Sequence, residues 1–395
     1  MNVRLPLSRK LLAPLGLAAL VAALCLPAPD GALGQGARPK EKKSVEAPIA
    51  GKDKAIADGL RWLALHQGPD GRWSLNHFNR MARTAPLPGG RALVCNCGGL
   101  AAQEHDIAAT AFGVLPFLGA GHTHKPGLKK PDYSKAVNAG LRFLLTKQAR
   151  DGSFGTDVYS NALATLVVCE TYGLTTDPKL KAPAQRAVNY MIAAQDPAGG
   201  GWRYAPRQAG DLSVTGYYLT ALKSAQMAGL NVPKKVLALA DKFVDSCAAA
   251  EKGGYTYVPR TGAATPTMTA VGNLCRIYEG TNPRNPGLQA GLALLKKTPP
   301  GNRNDLYYEY YASLVMLYMG GDDRKVWSEG MRGMLLKNQD AGGTSGRDHQ
   351  KGSWFTAGQP QSNQGGRVMY TALALLILEL EDSKLPLFHG MRRAE

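Results

Sequence analysis

An all-α fold of six helical hairpins is what this sequence predicts, and three observations carry the prediction. A short turn motif recurs along the chain in register. Each copy is followed by a second segment, an apolar run with a small or hydroxylated residue inside it, usually closing on glycine. The two kinds of segment differ in character. Those before the motif, such as residues 179–195, carry Lys and Arg on one face, whereas those after it are apolar almost all round. Surface helices and buried helices are expected to differ in this way.

The first 34 residues stand outside the repeats. Arg4, Arg9 and Lys10 precede an almost uncharged stretch over residues 11–29, and Ala32-Leu33-Gly34 offers the small residues a signal peptidase requires. Pro14 and Pro27 interrupt the apolar run, which argues against an uncleaved anchor. Leu24 before Cys25 stands where a lipoprotein signal wants a small residue. Residues 1–34 therefore read as a signal peptide of an exported bacterial protein, periplasmic or extracellular after cleavage. Residues 35–50, with Ala37-Arg38-Pro39-Lys40-Glu41-Lys42-Lys43, have nothing to bury and read as a disordered tether. The folded domain is expected over residues 51–390. No later segment offers about 18 consecutive apolar residues, so no membrane-spanning helix is expected there.

The repeats then follow in order, and a period of this length decides a fold assignment. The first reads Gly59-Leu60-Arg61-Trp62-Leu63-Ala64-Leu65-His66-Gln67, then Gly68-Pro69-Asp70-Gly71-Arg72-Trp73. The second, from Gly140-Leu141-Arg142-Phe143 through Gln148 to Asp151-Gly152-Ser153-Phe154, matches it without a gap. The third carries Tyr190-Met191, Gln195 and Gly200-Gly201-Trp202. A weaker copy has Phe243-Val244, Ala248 in place of the glutamine, and Gly254-Tyr255. The last has Met334-Leu335, Gln339 and, after an insertion, Gly352-Ser353-Trp354; a degenerate copy lies at residues 292–297. The aromatic and aliphatic pair anchors a helix, the glutamine can bond turn backbone, and the glycine permits a tight reversal onto the second aromatic. On this register Trp73, Phe154, Trp202 and Trp354 are turn-packing residues.

The second helices are marked by Ala109-Thr110-Ala111-Phe112, Ala164-Thr165-Leu166, Thr220-Ala221-Leu222, Thr269-Ala270-Val271, Ala312-Ser313-Leu314 and Thr371-Ala372-Leu373. Glycine suits such a helix C-terminus because it accepts the left-handed conformation. From about Gly51 onward the chain resembles the squalene cyclase and prenyltransferase repeat family, whose glutamine and tryptophan repeat has these residues. The resemblance implies that the six hairpins close into an (α/α)6 toroid rather than an open solenoid, and that the inner helices start together at one mouth of the barrel.

The formal net charge of +17 favours polyanions, but Lys and Arg are scattered and no nucleic-acid motif is present, so nucleic-acid binding is not expected. Five of the six cysteines follow the signal: Cys95, Cys97, Cys169, Cys247 and Cys275. In an oxidising compartment an odd count leaves a thiol unpaired or pairing between chains. Cys169 and Cys275 fall in apolar helical patterns and read as small core residues. Residues 74–103 form a long insertion carrying Cys95-Asn96-Cys97. His77, His105, His122 and His124 lie near it in sequence, but two cysteines alone do not make a metal site, and neither a metal nor a cofactor is assigned.

Placing the inner helices around one mouth puts Glu104, Asp157, Ser213, Thr265, Asp305, Tyr307 and Glu309 at its rim and nominates His105, Asp106, Tyr159, Asp211, Thr267, Tyr308, Arg367 and Tyr370 there as the binding residues, with Asp211 and Asp106 as candidate catalytic acids. Asp106, Asp157, Asp211 and Asp305 are also where a helix start wants an acid, as a cap or in its first turn. For Asp211 the helix N-terminus is expected to lower the pKa. Three features implied by the family or its relatives are missing. Asp211-Leu212-Ser213-Val214 holds one acid where a class II cyclase has an Asp-x-Asp-Asp cluster, no Asp, Cys and His zinc set is recognisable, and no Gly-Cys-Gly-Glu-Gln thioester sequence occurs. The expected function is binding of an apolar, isoprenoid-like ligand or of a protein partner. The alternatives are an isoprenoid cyclase or transferase with a dispersed site, and a lyase or binder of acidic polysaccharide using Arg203, Tyr204, Arg207 and Tyr257. The state of the cavity separates them: deep and apolar for a lipid, an open basic groove for a glycan, filled for a scaffold.

Overall fold

The computed structural model describes residues 50–82, 85–86, 92–93, 95–342 and 348–391. Residues 1–34, read above as a signal peptide, and residues 35–49 of the segment read as a tether lie outside the described residues. In chain order the helices are α1 (Ala50–Leu65), α2 (Phe78–Met81), α3 (Asp106–Gly119), α4 (Ser134–Lys147), α5 (Val158–Thr175), α6 (Pro178–Ala193) and α7 (Leu212–Met227). They continue with α8 (Lys234–Ser246), α9 (Pro266–Tyr278), α10 (Pro286–Lys296), α11 (Leu306–Met319), α12 (Gly321–Asn338), α13 (Ser362–Glu379) and α14 (Pro386–Met391). Two two-residue strands, β1 (Ala85–Pro86) and β2 (Ala92–Leu93), pair antiparallel inside the insertion.

Six inner helices form a closed ring: α3 packs on α5, α5 on α7, α7 on α9, α9 on α11, α11 on α13, and α13 back on α3. Outside them, α1, α4, α6, α8, α10 and α12 each pack against inner helices, and α12 also meets α1, so the outer layer closes as well. Among the described residues no helix is long and apolar enough to cross a membrane.

The turn motif explains how neighbouring hairpins are locked. Gln195 Nε2 donates to the Gly200 carbonyl of its own turn at 2.8 Å and to the Val236 carbonyl of the next outer helix at 2.9 Å. Gln67 makes the same pair of bonds to Gly71 and Ala136, and Gln148 to Gly152 and Pro183. Gln339 bonds Gly352 and Ala55, so the last repeat docks on α1 and shuts the ring with the same kind of bond. The motif tryptophans sit beneath these turns: Trp202 is 1% exposed, its indole N–H donates to the Met191 carbonyl at 2.8 Å, and its backbone N–H donates to Thr215 Oγ1 at 3.0 Å. Thr110 and Thr371 receive the Trp73 and Trp354 amides in the same way, which gives the hydroxylated residue of the inner helix its role. Gly200 has φ +85°, and a Cβ there would lie 2.1 Å from the Leu239 carbonyl oxygen of α8, so both conformation and space demand glycine.

The barrel is filled toward its far end. The Tyr217 ring packs on Tyr159, Tyr307 and Tyr311 with centroids 5.3 to 6.0 Å apart, and Tyr310 follows against Tyr311 at 5.5 Å. Below them Glu170 of α5 is fully buried, bonded by Ser224 Oγ and accepting the Leu387 backbone N–H at 3.3 Å. That bond seats α14, whose Leu387 and Phe388 are buried against α5 and α7. Burial pushes the Glu170 carboxyl up to about 7, so the plug is held by a group close to its neutral form.

Candidate functional site

Capping fixes where the inner helices begin, and with them the mouth. Asp157 accepts the Tyr159 and Ser160 amides, Asp211 the Val214 amide, Thr265 the Met268 amide and Asp305 the Tyr308 amide. Between these starts lies a pocket of about 90 Å³ walled by Leu75, Ala108, Phe112, Leu163, Met369 and the rings of Tyr159, Tyr217 and Tyr307. His105 and Asp157 stand at its edge and also line a broader outer cleft of about 910 Å³ with Arg72, Glu104, Asp106, Lys147 and Tyr204. Leu75 brings the insertion to the pocket; the Ala101 amide bonds Leu75, and the Ala102 amide bonds Asn363 of α13.

The polar atoms at this edge are only partly matched. His105 Nδ1 lies 3.8 Å from Asp157 Oδ2, while its buried Nε2 has no hydrogen-bond partner among the described residues. The Tyr159 hydroxyl is buried beside Tyr204 without a hydrogen bond of good geometry. Burial with no compensating bond is costly, so such atoms are natural contacts for a ligand.

Asp211 is fully buried behind this edge. One carboxylate oxygen accepts the Val214 amide at 2.8 Å, and the other faces Arg203 Nε at 3.7 Å. Tyr204 and Tyr257 complete the group, their hydroxyls 2.7 Å apart. The expectation of a lowered pKa is overturned. Burial pushes the Asp211 carboxyl up to about 6, outweighing the opposing effects of the Val214 amide, Tyr257 and Arg203.

The remaining rim candidates separate. Asp106 opens α3 and pairs with Arg72 Nε at 3.2 Å, facing the outer cleft rather than the pocket. Thr267 Oγ1 donates to Asp305 Oδ2 at 3.4 Å. Tyr308, Tyr370 and Arg367, expected at the rim, do not line the pocket. Tyr308 donates to the Thr298 carbonyl at 2.8 Å, and Tyr370 donates to the Pro360 carbonyl. Arg367 is a clamp in the ring wall, donating to the Gly98 carbonyl, Ser353 Oγ and Gln350 Oε1. Gly366, with φ +58°, kinks the start of α13 just before Arg367 and Tyr370, and the carbonyls of Gly98, Pro360 and, for Tyr308 on α11, Thr298 capture the three side chains. Ser213 and Tyr307, which also stand at inner-helix starts, line the pocket instead, together with Tyr217, which the sequence did not mark as a rim residue.

The insertion cysteines find different partners from those their sequence neighbourhood suggests. His124 bonds Asp177 at 2.9 Å, His122 packs on Tyr133, and His77 precedes α2. Cys95 and Cys97 instead meet His66 and His349, all four donor atoms lying within 4.8 Å of one another. The assignment of no metal rested on two cysteines being too few; the fold supplies two further donors.

No family model matches the sequence, and no curated protein matches it. Solved structures match over most of its length. The type II terpene cyclase MstE from Scytonema is 13% identical, with a TM-score of 0.53 over 84% of this chain and 98% of that one. The cellobiose 2-epimerase from Spirochaeta thermophila is 12% identical, with a TM-score of 0.55 over 83% and 95%. An unsaturated glucuronyl hydrolase specific for heparin is 10% identical, with a TM-score of 0.56 over 84% and 96%. At such identities the likeness is one of fold, and the fold is a terpenoid-cyclase-like α/α toroid.

Proposed function

We propose that the protein is a binding toroid that does not cyclise polyprenes and takes the apolar, isoprenoid-like end of a small ligand at its mouth. The observation that carries this reading is the pocket itself: nearly all its wall is hydrocarbon or aromatic, and the side chains of His105, Asp157, Ser213, Gln361 and Gln364 supply the few polar groups around it. A ligand with a short apolar group and a hydroxyl or similar head satisfies both. The volume is about 90 Å³, several times what one water needs. The tyrosines and α14 fill the barrel beneath, which leaves no room to enclose a long folded polyprene.

The test is native mass spectrometry, with organic extraction, on protein purified from its own host. An apolar molecule should travel with the wild type and be lost from Ala108→Trp, which fills the pocket, with the circular dichroism of the two proteins unchanged. Identical ligand-free spectra for both would remove the reading.

A second reading, a hydroxylated or acidic glycan ligand, is favoured by His105 alone. With Asp157 behind Nδ1 and Nε2 turned inward, that imidazole could bond or deprotonate a hydroxyl. Weaker retention of His105→Ala than of wild type on immobilised uronic-acid oligosaccharides would support it. Equal retention would not.

A further inference from the structure

The cluster at the seam of the ring has a composition and spacing that the toroid itself does not call for. His66 lies just beyond the end of α1, Cys95 and Cys97 in the insertion, and His349 in the short 3-10 turn at Asp348–Gln350 before α13. Three segments far apart in the chain thus converge on one point between the first repeat and the last. His66 Nε2 is 3.3 Å from Cys95 Sγ and 3.5 Å from Cys97 Sγ, and His349 Nδ1 is 3.8 Å from Cys97 Sγ.

We propose that His66, Cys95, Cys97 and His349 bind a zinc-type divalent cation that staples the first repeat, the insertion and the last repeat together.

Zinc bonds of about 2.3 Å to sulfur and 2.0 to 2.1 Å to nitrogen, arranged tetrahedrally, place S and N about 3.6 Å apart. The three separations above bracket that figure. The donor set is right for the same ion, since two thiolates and two imidazoles suit zinc and no open position is left for substrate, which marks a structural rather than a catalytic centre. The outer contacts agree. His66 Nδ1 lies 2.7 Å from the Trp62 carbonyl, a contact that commits its proton there and turns Nε2 to the cysteines. The His66 ring is stacked on Trp62 at 4.0 Å and flanked by Phe78 at 5.5 Å, so its orientation is held by packing. The cation and two thiolates sum to no net charge, which allows burial at His66, Cys97 and His349 without an uncompensated ion. On binding, the Cys95 and Cys97 thiols each release one proton to solvent and form one sulfur–metal bond; nothing is oxidised or reduced.

The experiment measures metal in the full-length protein. Elemental analysis should return one zinc per chain for the wild type and for the control His122→Ala/His124→Ala, and less than a tenth as much for Cys95→Ser/Cys97→Ser. Replacement with Co2+ should give the strong visible bands of a tetrahedral ion and a near-ultraviolet thiolate charge-transfer band. His349→Cys should keep one metal per chain with the charge-transfer band strengthened, which distinguishes loss of a ligand from loss of the fold. Chelation should lower the thermal midpoint of the wild type but not of the cysteine double variant. Wild type that holds no zinc and takes up no Co2+ with a thiolate band would overturn the proposal. So would protein whose mass and thiol titration show Cys95 and Cys97 joined in a disulfide.

Discussion

Replacing Asp211 by asparagine tests whether the acid behind the pocket is a cap that bears a cost or a charge the protein uses. Burial raises its carboxyl from 3.8 to about 6. Between those two values the unfolded chain ionises while the folded one stays protonated, so stability falls as pH rises through that window and stays low above it. A displacement of about two units corresponds to roughly 3 kcal/mol, taken as an order of magnitude. The asparagine amide cannot ionise, and its side-chain oxygen can still accept the Val214 amide, so the cap survives. Urea unfolding followed by circular dichroism should therefore show Asp211→Asn gaining about 2 to 3 kcal/mol on the wild type between about pH 4 and about pH 8. Asp211→Ala should show the same relative change displaced downward by the lost cap, about 0.5 to 2 kcal/mol. Parallel wild-type and asparagine curves would refute the reasoning, because they would mean that Arg203, Tyr257 and water already stabilise the charge. Wild type incubated with squalene should give no cyclised product; product that vanishes in Asp211→Asn would make Asp211 a catalytic acid.

Trp202→Ala should cost about 3 to 5 kcal/mol, since it empties a buried turn and breaks the bond to Met191; an unchanged thermal midpoint would disprove the packing role. Gly200→Ala should destabilise by more than about 3 kcal/mol, combining left-handed strain with a clash on Leu239. Gly229→Ala, with φ +73° and open space around it, should cost only about 1 kcal/mol by the same assay. Glu170→Gln should flatten the decline in wild-type stability as pH rises from 4.5 to about 7, because the folded-state pKa is raised and the neutral carboxyl is the stable form; thermal melts across that range measure it.

By itself the sequence determined the repeat and, through it, the ring. The information was local: a glutamine, a glycine and an aromatic at fixed spacing each act within one turn or on the next hairpin, so Gln195, Gly200 and Trp202 could be read without coordinates. The caps at Asp157, Asp211 and Asp305 were legible for the same reason, since a helix start wants an acceptor within three residues. Side-chain direction and long-range company were decided only in three dimensions. The kink at Gly366 and the carbonyls around Arg367 put that residue into the wall rather than the mouth. The Asp211 carboxyl rose instead of falling because its surroundings, drawn from Arg203, Tyr204, Tyr257 and the inner ring, removed water from it. His66 lay in plain sight beside the first repeat's glutamine, and His349 lay in the last insertion. Only the closing of the ring, which sets the first repeat against the last, brought them to Cys95 and Cys97. Spacing along a chain shows what one helix and its turn can do, whereas a site built across a closure depends on where the two ends of the ring meet.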